Sequence, residues 1–194
     1  MYTVLLDSSN TSLTVGLAKD NVLLESVSYE AWQSQSEHMI PELDNLLKKY
    51  HVDRKEIEDV VVAIGPGSYT GVRIAITIAK TMATALSCKV YEVSSLRCQK
   101  DKNRPSVCVI NARSGRSYFG VYEGEKIIVD DCIMTNDKVI EYINSHPDYS
   151  VCGNASYLGI EGKKPDIARE LLNLKPFVKA SLNALAIKPV YMKD

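Results

Sequence analysis

Tyr2 to Leu6, apolar but for Thr3, reads as a short strand, and Asp7-Ser8-Ser9-Asn10 as the polar turn that ends it. Leu13, Val15 and Leu17 then alternate with smaller or polar residues, which predicts a second strand. Lys19-Asp20-Asn21 turns the chain into a third strand, Val22 to Tyr29. After that the period lengthens. Met39, Ile40, Leu43, Leu46, Leu47 and Tyr50 fall on one face of a helix over Glu37 to Tyr50, and Ser34 with Glu37 has capping-box spacing. Pro41 predicts a kink or a later start, since it lacks an amide donor. Val60 to Ile64 is apolar throughout, as in a strand buried on both faces. Gly65-Pro66-Gly67 ends it, Ser68 or Thr70 can cap the next helix, and apolar residues resume from Val72 to Leu86. Lys89 to Val93 is a further strand.

The second half repeats this order. Arg97 to Pro105 is polar and reads as a linker or short helix with a solvated face, contact with RNA phosphate being the alternative. Strands are predicted at Ser106 to Ile110, Tyr118 to Tyr122 and Lys126 to Asp130, separated by turns at Asn111 to Arg116 and Glu123-Gly124-Glu125. Thr135 can cap a helix through Asn144, Val151 and Cys152 mark a brief strand, and Pro165 to Leu172 is helical. Two β-β-β-α-β-α units, 1–100 and 101–194 with the second shortened, resemble the α/β plan of the actin-like ATPase (ASKHA) and sugar-kinase fold. In that plan nucleotide sits between the halves.

The helix after Gly71 carries more apolar surface than one sheet needs. From Val72 to Leu86 its apolar residues cover an arc of roughly 200°, where a stripe a little over 100° suffices. Ala75, Ala79 and Ala83 form a row of small residues along which another helix can approach. Either the first helix of the same chain covers the surplus, or a partner does. The second reading predicts that Ala75→Arg or Ala79→Arg abolishes partner binding and leaves the monomer folded.

Composition narrows the function classes. With 45% hydrophobic and 24% charged residues over 194 positions, the chain has the makings of an ordinary folded domain. A net charge of −1 supplies no general field toward nucleic acid or anionic membrane. Tyr2 to Leu6 is too short for a signal peptide and no apolar run approaches membrane-spanning length, so a cytoplasmic location is expected. The five cysteines form no C-x-x-C pair, which fits reduced thiols, with Cys108 and Cys152 as small core residues.

The motifs that would carry chemistry are incomplete. Gly71 is followed by Val72 and Arg73 where a Walker loop needs Lys then Ser or Thr, and Gly67 to Gly71 is too long for G-x-G-x-x-G. Arg73 can hold an acidic group, although a tight packing turn explains the glycines without a ligand. His38, His51 and His146 contain no H-x-x-x-H pair, and each reads as a surface or helix-end residue. Gly67-Ser-Tyr-Thr-Gly71 also lacks nucleophile-elbow spacing.

Gly65-Pro-Gly-Ser-Tyr-Thr-Gly-Val-Arg73 resembles the signature of the bacterial TsaB (YeaZ) family. Leu6-Asp7-Ser8-Ser9, Ser36-Glu-His-Met-Ile-Pro41, Val93-Ser-Ser-Leu96, Asn111-Ala-Arg113 with Tyr118, and Pro189-Val-Tyr191 match further family pieces in order. The resemblance implies a Gcp-like, non-catalytic scaffold in making threonylcarbamoyl-adenosine beside the tRNA anticodon. It implies pairing through the N-terminal half with TsaD, the catalytic relative, joined by the ATPase TsaE. A homodimer in isolation and only indirect contact with tRNA are implied by the same resemblance, with no metal, no cofactor and no membrane. Asp7, Ser8 and Ser9 would be a degenerate phosphate loop, because Asn111 stands where the family usually has Asp and Arg116 where it often has Glu. His38, Met39, Tyr69, Arg73, Ala75, Ile78, Ala79 and Met82 are the expected partner surface, two helices from each protomer making a four-helix interface. The alternatives are a small-molecule kinase or ATPase of the same fold and, disfavoured for want of ligands, a metalloprotease.

Overall fold

A computed structural model describes residues 1–192. Its first half runs β1 (Tyr2–Asp7), β2 (Ser12–Lys19), β3 (Val22–Glu30), α1 (Gln35–Lys49), β4 (Ile57–Ala63), α2 (Tyr69–Leu86) and β5 (Lys89–Val93). The second runs β6 (Ser106–Arg113), β7 (Arg116–Glu123), β8 (Lys126–Thr135), α3 (Asn136–Ser145), β9 (Ser150–Cys152) and α4 (Ile167–Leu174). One sheet has the order β3-β2-β1-β4-β5 and the other β8-β7-β6-β9. In each, three antiparallel strands are extended by parallel ones, reached across α1 and α2 in the first sheet and α3 in the second. This is the actin-like ATPase fold with a shortened second half.

Val4–Leu6 of β1 and Val60–Ala63 of β4 are unbroken apolar runs because both faces of the first sheet are covered. Val4, Leu6, Val60 and Val62 point into a cluster with Met39, Leu43, Ala75 and Ala79 from α1 and α2. Leu5, Val61 and Ala63 point the other way, against Ala168, Leu171 and Leu174 of α4. Helix α4 thus leaves its own sheet and closes the far face of the first one. Lys175, just beyond it, pairs with buried Asp59 and donates to Thr3 Oγ1 at 3.2 Å.

Several local expectations are corrected. Pro41 lies inside α1, and the helix begins at Gln35 rather than late. Pro41 and Glu37 are both exposed, so water can satisfy the carbonyl that loses its donor. Ser34 makes no capping bond; its hydroxyl donates to Ala31 O at 3.2 Å instead. Ile40 is 50% exposed and does not join the core face. The turn between β6 and β7 is shorter than expected, with φ positive at Arg113, Ser114 and Gly115. Thr135 extends β8 and offers no side-chain cap to α3.

The polar stretch after β5 opens with the expected short helix, a 3-10 turn at Arg97–Gln99, and Lys102, Asn103 and Arg104 are exposed, but its middle is not solvated. Cys98, Gln99, Lys100 and Asp101 are buried between the halves. Lys100 Nζ pairs with Glu170 at 2.8 Å and Arg97 with Glu125 at 3.1 Å, while Ser94 and Tyr122 both donate to Asp131. Burial pushes the Asp131 carboxyl up despite those donors. Among the described residues no helix is long and apolar enough to cross a membrane.

Candidate functional site: the glycine turn and the cleft

The turn between β1 and β2 and the turn between β4 and α2 are locked together. Ser68 N–H donates to Ser9 O at 2.7 Å, and Ser8 Oγ–H donates to Gly71 O at 2.7 Å. Such an approach excludes side chains at the glycines. A Cβ at Gly67 would stand 2.1 Å from Ser9 O, and one at Gly71 would stand 1.9 Å from Ser8 O. Ser68 also caps α2, its Oγ accepting from Gly71 N–H at 3.2 Å. The Ser68 amide and the Ser8 hydroxyl, which an anion would need, therefore already have partners within the chain.

Asp7 sits behind this contact, 6% exposed, with Oδ1 accepting from Ser9 N–H at 2.9 Å. Burial holds its carboxyl above the ordinary value, outweighing the donors of Ser9. Across the way, Asn111 Oδ1 accepts from Arg113 N–H at 2.8 Å, closing the second turn on itself. Between them lies a cleft of about 720 Å³ reached by Trp32, Gln35, Tyr69, Asn111, Arg113 and Tyr118. Among the described residues no carboxylate lines it, and Arg113 is its one charged group. That lining is poorly suited to a magnesium-bound phosphate, which needs carboxylate or similar oxygen ligands.

Tyr69, which also lines the cleft, joins Arg73 and Tyr191 in a cationic aromatic cluster. Arg73 Nε donates to Tyr191 OH at 2.6 Å, and its guanidinium lies 4.0 Å from the Tyr69 ring centre. The Tyr69 and Tyr191 rings stack at 5.2 Å. Tyr69 is 59% and Tyr191 42% exposed, so the cluster faces outward. The tail that brings Tyr191 here is tied by Val190 N–H donating to Ile64 O at 2.8 Å. Gly65, at φ +105, lets it pass, since a Cβ there would meet Val190 O at 2.8 Å. Ser95 completes the anchorage, its Oγ accepting from Gly65 N–H at 2.9 Å.

Of the expected partner residues, His38, Tyr69 and Arg73 are exposed and Ile78 is half-buried. Met39, Ala75 and Ala79 are fully buried and Met82 nearly so, inside the cluster shared by α1, α2 and the first sheet. The chain's own fold covers the alanine row, so an arginine at 75 or 79 is not a surface change. His38 stands edge-on to Tyr29 at 6.1 Å, and His146 stacks on Tyr142 at 4.1 Å. Sequence reasoning missed Trp32 and Tyr191 as site residues. Tyr191 belongs to a closing motif, but nothing in its spacing ties it to Arg73.

Comparison with known proteins places these features. The family model described as TsaD, tRNA N6-adenosine threonylcarbamoyltransferase, matches residues 27–172. A Bacillus subtilis protein named tRNA threonylcarbamoyladenosine biosynthesis protein TsaB is 33% identical over 71% of this chain and 64% of its own length. An uncharacterized protein of Mycoplasma genitalium is 27% identical over all of this chain and 95% of its own. Among solved structures, YeaZ from Pseudomonas aeruginosa superposes with a TM-score of 0.83 at 22% identity, covering 98% of this chain and 99% of that one.

Proposed function

From the premise that this chain belongs to the TsaB (YeaZ) family, within the TsaD family whose model spans residues 27–172, we propose that it is a non-catalytic subunit of the machinery that places threonylcarbamoyl on tRNA adenosine. It binds TsaD, the catalytic relative, and supports its active form together with TsaE; contact with tRNA is indirect. The observation that carries this reading is the mutual locking of the two turns. Where an active member of the fold presents free donors and a carboxylate to phosphate, this chain joins Ser8 to Gly71 and Ser9 to Ser68 and leaves Asp7 buried.

The same reading assigns docking to the outer face of α1 and α2, led by Tyr69 and Arg73 and extended by Tyr191. Exposed aromatic and arginine side chains already held by each other lose little entropy on burial and are enriched among residues that dominate binding. Met39, Ala75, Ala79 and Met82 form the packed base beneath that face. The test is reconstitution of tRNA modification from TsaD, TsaE, ATP and threonylcarbamoyl-adenylate, with and without this chain. Loss of modification in its absence is expected; a full rate without it overturns the proposal.

A further inference from the structure

The second sheet holds a cysteine pair placed for a chemistry beyond packing. β6 and β9 run parallel with Cys108 opposite Cys152. Their side chains leave the same face of the sheet from backbones about 4.8 Å apart, within the range of about 4.4–6.8 Å that a disulfide spans. Both thiols are free, and each lies within hydrogen-bonding reach of the other. They share a buried cluster with Leu96, Ile110 and Tyr122.

The two thiols are not equivalent. Both are buried, but Cys152 borders a recess of about 210 Å³ in whose wall Lys100, Lys163 and Arg169 pair with Glu170, Asp101 and Asp166, while Cys108 lies behind it. The bond from Cys108 holds the Cys152 thiol below its ordinary value, whereas burial pushes Cys108 well up. The more acidic thiol of the two borders the recess, and the less acidic one stands behind it. That is the division of labour between an attacking and a resolving cysteine.

We propose that Cys108 and Cys152 form a reversible disulfide on exposure to hydrogen peroxide, stapling β9 to β6. The Cys152 thiolate attacks one peroxide oxygen and the O–O bond breaks. The hydroxide released recovers the proton Cys152 had lost and leaves as water. Cys108 sulfur then attacks the sulfenic acid at Cys152, so that the S–S bond forms and the S–O bond breaks. The second water carries away the Cys108 proton. Two thiols are oxidised by two electrons and one peroxide is reduced to two waters. Other cysteines are placed differently: Cys98 donates to Ser95 O at 3.3 Å, and Cys88 and Cys132 belong to other clusters.

The experiment treats the reduced, desalted chain with hydrogen peroxide, alkylates the remaining thiols and maps peptides without reduction. The expected result is loss of two hydrogens per chain, a cross-linked peptide joining Cys108 to Cys152, and reversal by dithiothreitol. Cys108→Ser should instead leave a sulfenic acid at Cys152 that dimedone traps, and Cys152→Ser should give no cross-link. Wild-type protein oxidised first at Cys88 or Cys132, or carrying no Cys108–Cys152 cross-link, overturns the proposal even if either variant fails to fold.

Discussion

Replacing Gly71 by Ala sets two opposed effects against each other. Position 71 is in the first turn of α2, where alanine gains about 1 kcal/mol over glycine in helix propensity. Against this, the new Cβ would stand 1.9 Å from Ser8 O and 3.1 Å from Ser8 C. The obstacle is backbone, so the two turns must separate by about 1 Å or more to regain ordinary contact. Separation breaks the bonds Ser8 Oγ–Gly71 O and Ser68 N–Ser9 O, both 2.7 Å. Each broken bond leaves a buried group unpaired at a cost of about 1–3 kcal/mol, so the two give a net loss of about 1–5 kcal/mol after the propensity gain. For a chain of this size that lowers Tm by about 2–20 °C. Thermal unfolding by circular dichroism measures it, and urea titration should show a lower midpoint at unchanged m. Gly115→Ala is the control. Gly115 has φ +72 but nothing within 4 Å of an added Cβ, so only the left-handed backbone penalty of about 1–2 kcal/mol applies. If Gly71→Ala matches wild type, or falls no further than Gly115→Ala, the locking of the two turns is refuted.

Ala79→Arg should lose about 4 kcal/mol or more, because it drives a cation into a site with no exposure. Arg73→Ala, by contrast, should stay within about 1 kcal/mol of wild type while weakening capture by TsaD; equal effects of both variants on Tm and on co-purification would refute the distinction. Asp7→Asn keeps an acceptor for Ser9 N–H and removes a buried charge. Because the folded Asp7 carboxyl lies above its ordinary 3.8, the folded state binds the proton more tightly than the unfolded chain. The wild type therefore loses stability as pH rises through that window. Asp7→Asn should melt higher than wild type near neutrality, with the gap closing toward about pH 3; a gap that widens in acid refutes the sign.

Much of the fold is legible in the sequence because its periods are clean. Val60 to Ile64 reads as a doubly buried strand and Tyr2 to Leu6 as a strand, and Val60–Ala63 and Val4–Leu6 are indeed covered on both faces. What escapes the sequence is long-range. Pro165 to Leu172 reads as a helix, but nothing in its pattern says that Leu171 and Leu174 would meet Leu5 and Val61 rather than their own sheet. Lys100 and Asp101 look like solvated charges, and only their ion pairs with Glu170 and Lys163 explain their burial. In the site, the glycines give away the tight turn, yet their partners Ser8 and Ser9 lie some sixty positions upstream. The alanine row leaves its cover undecided for a related reason. A wide apolar arc shows that something covers a helix, and here the cover is the same chain's α1 and tail.

The return of α4 to the first sheet also sets a schedule for biosynthesis. A ribosome delivers β1, β2, β4 and β5 long before residues 167–174, so Leu5, Ala18 and Val61 wait with one side unsheltered while the whole second half is translated. A nascent chain stalled before Pro165 therefore presents a greasy sheet to the translation apparatus and its chaperones, and a helix made after the whole second sheet is the one that seals the first strands made.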